Sequence, residues 1–248
     1  MTPIQEAKIE MQEKNAEIEN IRTFYNTVYY KDVSRDESSS PHYERLAVRI
    51  GIASNDRVLD VACGLGLWLS VCSKHGAKPS GIDLSERAIG ACRQAMPEGT
   101  FFAQPAEKLP FEDASFDVVT CLGSLEHFVD QEAAIKEMVR VGKPNARFVI
   151  LVPNDDFLTR RLGFYGGTHQ VAAKEVMHSL SNWAALFERC GLHVERRWRD
   201  LHVLSWSWIS SRGWRHVPIR AAQAAALAIW PLEWQYQVYH LCTAKAPR

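Results

Sequence analysis

Between Arg57 and Pro153 the chain alternates short apolar runs with helix-like stretches: RVLDVA, an apolar helical pattern, KPSGIDLS, a second helix, FFAQPA, FDVVTCLG, a third helix and RFVILVP. Strands separated by helices cannot pair as hairpins, and parallel neighbours need long crossover connections, so this alternation predicts a doubly wound, mostly parallel sheet covered on both faces. After Pro153 the pattern predicts a Gly-containing segment, a helix from Leu180 to Cys190 ended by Gly191, a strand at HVERRW and a last strand at YQVYHLCTA. That makes a seven-stranded α/β sheet.

Length and turn spacing predict a single domain over 1–248, without a structureless linker. Residues 1–42 form an N-terminal helical cap, because Ile4, Ile9, Ile18, Ile21, Phe24 and Val28 recur among Glu and Lys with helical periodicity. KDVSRDESSSP reads as a loop. Residues 43–153 form a ligand-binding half and 154–248 a substrate-side half, with an inserted Trp-rich helical segment at about 204–234 before the last strand.

Lys plus Arg and Asp plus Glu are 29 each, so the formal net charge is zero and no global positive field exists to hold nucleic acid. The richest apolar stretch, Ala221 to Trp234, is interrupted by Gln223, Pro231 and Glu233, which argues against a membrane span. The charged first residues lack the apolar centre of a signal peptide, and a cytoplasmic location is expected. Six scattered cysteines with no C-x-x-C pair read as reduced, buried thiols, with neither disulfides nor a zinc site.

The motif Asp60-Val61-Ala62-Cys63-Gly64-Leu65-Gly66 ends the first strand and turns into a helix. Its glycines admit a ligand close to the backbone. Asp83 ends the next strand, where a carboxylate accepts both hydroxyl hydrogens of a ribose. A ribose with a charged tail fits NAD or S-adenosylmethionine. Leu69 stands where a dinucleotide fingerprint wants a third glycine, and Asp60 is placed to meet an ammonium group, so the balance favours the sulfonium cofactor over a nicotinamide oxidoreductase.

VLDVACGLG, GIDLSERAI, AEKLPFEDASFDVVTCLGSLEHFVD and RFVILVPN, in this order, resemble the class I S-adenosylmethionine-dependent methyltransferases, in particular the small-molecule branch with the ubiquinone-type O-methyltransferases. The resemblance covers Tyr43 to Pro153. It implies that Asp60, Ala62, Gly64 and Gly66 hold the methionine part, Asp83 the ribose, Leu84 flanks adenine, Ala106 and Glu107 close over the base, and Leu122 lies beside the cofactor. Pro105 stands where the family commonly has an Asp that reaches the adenine amine, leaving backbone, stacking or Gln104 to hold the base. Gly123 stands where ubiquinone-type enzymes carry a Glu of a suggested metal arrangement, and no metal is assigned.

Glu126 and His127 follow the fourth strand at the carboxyl edge of the sheet and are the catalytic candidates. Methyl transfer is an in-line displacement dominated by positioning, and a base is needed only for a protonated acceptor. An imidazole suits that task near neutral pH. His127 therefore either takes the acceptor proton or only positions the acceptor. Tyr25, Tyr29, His169 and Trp206 are the substrate-side candidates, with ordinary packing as the alternative for each. The tryptophans and nearby arginines of the insertion leave an apolar or lipid-linked acceptor and peripheral membrane contact open. The function expected is methyl transfer to an oxygen or nitrogen of a small molecule; a non-catalytic cofactor-binding protein is the competing reading.

Overall fold

The computed structural model describes residues 3–31, 41–163, 175–211 and 213–245. Strands β1 (Arg57–Val61), β2 (Lys78–Asp83), β3 (Thr100–Ala103), β4 (Phe116–Leu122), β5 (Gly142–Pro153), β6 (Leu192–Arg199) and β7 (Gln237–Ala244) form one sheet in the order β3-β2-β1-β4-β5-β7-β6. The first five strands are parallel and β7 is antiparallel to both neighbours, which leaves β6 parallel to β5. Strand order reverses between β1 and β4, the switch point at which a crevice opens beyond the carboxyl ends of the strands. The expected topology is the observed one.

Side chains along the central strands alternate between two cores. Val58, Val118 and Val149 face α2 (Pro41–Ile50), α3 (Leu67–Lys74) and α4 (Glu86–Ala95), where Trp68, Leu69 and Ile89 complete the packing. Leu59, Val119, Phe148 and Ile150 face the other way, onto Ile135 and Met138 of α5 (Gln131–Val141) and Trp183 and Phe187 of α7 (Leu180–Arg189). Burial on both faces is why these strands read as continuous apolar runs. All six cysteines are buried and unbonded to one another, as their spacing implied.

The N-terminal helix α1 (Pro3–Phe24) continues into a π-helical turn, Tyr25–Tyr29, closed by the Tyr30 N–H on the Tyr25 carbonyl at 3.0 Å. A short helix α6 (Leu158–Arg161) follows β5. The insertion before β7 contains α8 (Trp206–Ser210) and α9 (Val217–Ile229). No helix among the described residues is long and apolar enough to cross a membrane. The loop expected at Lys31 to Pro41 and the segment holding His169 fall largely outside the described residues.

His240 in the middle of β7 is fully buried beside the Phe187 ring, 5.4 Å away between centroids. Burial pulls its pKa down to about 4, with nearby Arg197 pushing the same way. The unfolded chain therefore takes up a proton near pH 6.5 that the folded protein refuses until about pH 4, so this group destabilises the fold progressively as pH falls across that window, by about 3 kcal/mol below it. Thermal melts of the wild type and His240→Phe between pH 7 and pH 4 are expected to show a steeper loss of Tm in the wild type; parallel curves contradict this account.

Candidate active site

The loops after β1, β2 and β4 surround a cavity of about 590 Å³ at the switch point, a volume suited to a cofactor with a small substrate. Its floor comes from the β1 loop. Ala62 and Gly64 adopt left-handed backbone with φ of 63° and 52°. Such a conformation is strained for alanine and marks a loop held by its surroundings. A Cβ at Gly64 would stand 2.9 Å from the Tyr30 hydroxyl, and one at Gly66 would stand 2.8 Å from both Cys92 Sγ and Met96 Cε. Glycine is required at 64 for a close approach from above and at 66 for helix packing from below.

Asp83 fixes this loop. One carboxylate oxygen accepts the Gly64 N–H at 2.9 Å and the other accepts the Ser85 N–H at 2.8 Å. Burial pushes its pKa up, and those two N–H donors oppose the shift. Asp60 lies one strand away beside Thr120, whose hydroxyl donates to it at 2.6 Å while accepting the Trp68 indole N–H at 3.1 Å. Burial pushes Asp60 up to about 7, against the effect of the Thr120 hydrogen bond.

Among the described residues the cavity wall holds Asp60, Asp83, five aromatic residues of the N-terminal segment and α2–α3 (Tyr25, Tyr29, Tyr30, Tyr43 and Trp68), His127 and Phe128, but neither Lys nor Arg. Two buried carboxylates without a basic partner disfavour a pyrophosphate and favour a cationic ligand such as an ammonium or sulfonium group. The lining thus separates the two cofactors that the ribose motif alone left open.

The chain matches the family model described as "Methyltransferase domain" over residues 59–150. It is 30% identical over 199 residues to the methyltransferase YcgJ of Bacillus subtilis (strain 168), an alignment covering 73% of this chain and 76% of that protein. It is also 30% identical over 170 residues to the ubiquinone biosynthesis O-methyltransferase of Idiomarina loihiensis, covering 64% and 70%. The chain is a class I S-adenosylmethionine-dependent methyltransferase. Its fold resembles that of the 1,6-didemethyltoxoflavin-N1-methyltransferase of Burkholderia thailandensis, solved with 1,6-didemethyltoxoflavin and S-adenosylhomocysteine bound, with a TM-score of 0.61 at 16% identity over 99% of this chain and 92% of that one.

In this methyltransferase Asp60, Ala62, Gly64, Asp83, Leu84, Leu122 and His127 all line the main cavity, and Tyr25 and Tyr29 close it. Gly66 sits just beneath, packed on α4. Ala106 and Glu107 border a separate cleft of only about 30 Å³, with Leu84 and Gln104, that Ile18 and Ile21 of α1 help to fill. A base reaching that cleft requires α1 to yield.

Two candidates depart from expectation, and a third is not described. Glu126 is 3% exposed and does not line the cavity. Its Oε2 is buried without a hydrogen-bond partner among the described residues, and burial, helped by the negative charge of Glu175, pushes its pKa up to about 8. Trp206 does not reach the cavity either: α8 packs on α9 and the turn His202–Leu204, leaving its indole 70% exposed. His169 lies outside the described residues.

Two further contributors escaped the sequence reading. Glu175 brings a second carboxylate to Glu126 and His127, the three groups' polar atoms lying within 4.8 Å of one another; the Val176 N–H on the Glu126 carbonyl at 2.8 Å ties the two segments together. Asn26, at the π-helical turn, accepts the Ser85 hydroxyl at 2.7 Å and the Arg87 N–H at 3.4 Å, so it docks the N-terminal segment onto the start of α4. Arg87 also donates to the Lys31 carbonyl at 2.8 Å, and Lys14 meets Asp130 at 3.1 Å. Asn26→Ala removes the central contact of this clasp and is expected to weaken docking by about 1–2 kcal/mol. Hydrogen exchange should then speed up roughly ten-fold in residues 18–30 and leave β1 and β4 unchanged; unaltered protection across 18–30 refutes the clasp.

Proposed function

We propose that this enzyme methylates an oxygen of a small, largely apolar acceptor within the cavity formed by the N-terminal cap and the carboxyl edge of the sheet, the whole chain acting as one domain. The observation that carries the reading is the cavity lining: His127 and a group of tyrosines share it with the buried Asp60 and Asp83. The cofactor fits this set, because the acidic lining complements its cationic centres and the Gly64–Gly66 turn leaves the backbone accessible. It supplies an electrophilic methyl group on a sulfonium.

The chain's own residues do the rest. Asp83, already satisfied by one N–H on each oxygen, keeps further lone pairs for ribose hydroxyls. Asp60 would pair with the ammonium group, with Ala62, Gly64 and Gly66 shaping the backbone there. Leu84 and Leu122 would offer apolar contacts to the cofactor, and Ala106 and Glu107 would hold the base once α1 yields. Tyr25 and Tyr29 cover the acceptor and exclude water, and His127 holds the acceptor hydroxyl and receives its proton. The name of the Idiomarina relative supports oxygen as the target; that of the Burkholderia protein, an N1-methyltransferase, keeps nitrogen as the second reading.

Two measurements test this assignment. Acceptors can be screened by the release of S-adenosylhomocysteine, with phenols and hydroxylated aromatics expected to turn over. On the best of them His127→Ala should lower kcat by about 100-fold while cofactor affinity changes little; unchanged turnover removes the base role. Because Asp60 without ligand takes up its proton at about pH 7 and an ammonium neighbour favours the carboxylate, S-adenosylmethionine affinity should rise as pH increases through 7, with proton release. Asp60→Asn should bind more weakly with no such slope; a slope retained in that variant assigns the proton elsewhere.

A further inference from the structure

The insertion between β6 and β7 has a surface unlike the rest of the molecule. Trp214 is 79% exposed and Ile229 is 81% exposed, and Trp206 and Ile219 are exposed alongside them. Helix α9 has a single charged side chain in its 13 residues, Arg220, whose guanidinium lies 3.7 Å from the Trp208 ring centroid. Its outward positions are Pro218, Ile219, Ala221, Ala222, Gln223, Ala225 and Ile229. Helix α5 instead follows the ordinary rule, with Ala134, Ile135 and Met138 buried and Glu132, Lys136 and Arg140 on its outer side. Exposed apolar surface of this extent marks a place where something else binds.

Charge identifies the occupant. From Leu201 to Leu232 the sequence has no Asp or Glu, while it carries Arg212, Arg215, Arg220, His202 and His216. The Arg215 guanidinium lies 5.6 Å from the Trp214 ring centroid, so a cation accompanies the exposed indole. Cations and indoles around an apolar helix free of acidic side chains match an anionic lipid interface, with Trp at headgroup level and Ile and Ala below. At about 1.5 Å per residue α9 is roughly 20 Å long, too short for a hydrocarbon core of about 30 Å, so it would lie in the plane of the surface.

The segment is also fixed to the catalytic body. The Arg199 guanidinium at the end of β6 bonds the Ala228 carbonyl, and the Gln235 side-chain amide donates to the Leu227 and Trp230 carbonyls at 2.8 and 3.2 Å. β6 ends at the same edge of the sheet as β1 and β4, where the cavity opens. We propose that α8 and α9 form a peripheral docking surface for anionic phospholipid membranes.

The test is flotation of the full chain with vesicles of phosphatidylcholine alone or with about 30% phosphatidylglycerol. The expected result is co-flotation with the anionic vesicles, lost at about 0.5 M salt. The Trp214→Ser/Ile229→Ser variant, altered only at exposed positions, should lose binding at least ten-fold while keeping the wild-type circular dichroism and cofactor affinity. No co-flotation of folded protein at low salt overturns the proposal, as does equal binding by the double variant. A concentration-dependent dimer broken by the same substitutions, without vesicle binding, assigns the surface to a second copy of the chain instead. The assay involves no methyl transfer, so its outcome is independent of the acceptor assignment.

Discussion

The carboxylate of Asp83 holds together pieces of chain that would otherwise move independently. Its two oxygens take the Gly64 N–H from the turn after β1 and the Ser85 N–H at the start of α4. Ser85 then caps α4 through the Ala88 N–H and donates its hydroxyl to Asn26. Turn, second strand, fourth helix and N-terminal segment therefore share one hydrogen-bonded junction. A buried acid is costly unless its oxygens are satisfied, and satisfying them here sets the geometry of the ligand-facing loop.

The charge pattern around that junction follows from the same economy of donors. Asp60, Asp83 and Glu126 are all buried, and burial pushes all three upward in pKa. Among the described residues no Lys or Arg lines the cavity to relieve them. An enzyme whose ligand brings positive charge with it has no use for a basic residue there, because a resident cation would compete for the same carboxylates. The tyrosines that complete the wall stay neutral: burial and the neighbouring acids raise the pKa of Tyr25, Tyr30 and Tyr43. Their hydroxyls serve as neutral hydrogen-bonding groups in the cavity lining.

Local patterns revealed the sheet and the cofactor side of the cavity to sequence reading. The alternation from RVLDVA to RFVILVP implies parallel strands joined by crossover helices, and the Asp60 to Gly66 run and Asp83 fall at strand ends, where chemistry and backbone geometry coincide. Features made by distant residues were not legible in this way. Glu175 meets Glu126 across 49 positions of sequence, and Asn26 is an unremarkable residue of a polar helix until α4 is placed beside it. The π-helical turn that carries Tyr25 and Tyr29 into the cavity has no periodic signature. Trp206 misled for the converse reason: a tryptophan near a catalytic domain suggests a pocket, but the short α8 turns it outward. Glu126 is next to His127 in sequence and their polar atoms lie within 4.8 Å of each other, yet only His127 lines the cavity.

Everything proposed for the site depends on the acidic, Asp83-centred cavity being where the cofactor binds. The most direct measurement is calorimetric titration of the wild type and Asp83→Ala with S-adenosylmethionine, S-adenosylhomocysteine and NADH. Micromolar binding of the two sulfur compounds by the wild type, its loss in the variant, and no heat from NADH in either are the results expected. Equal affinity of both proteins for S-adenosylmethionine, or binding of NADH alone, contradicts the assignment.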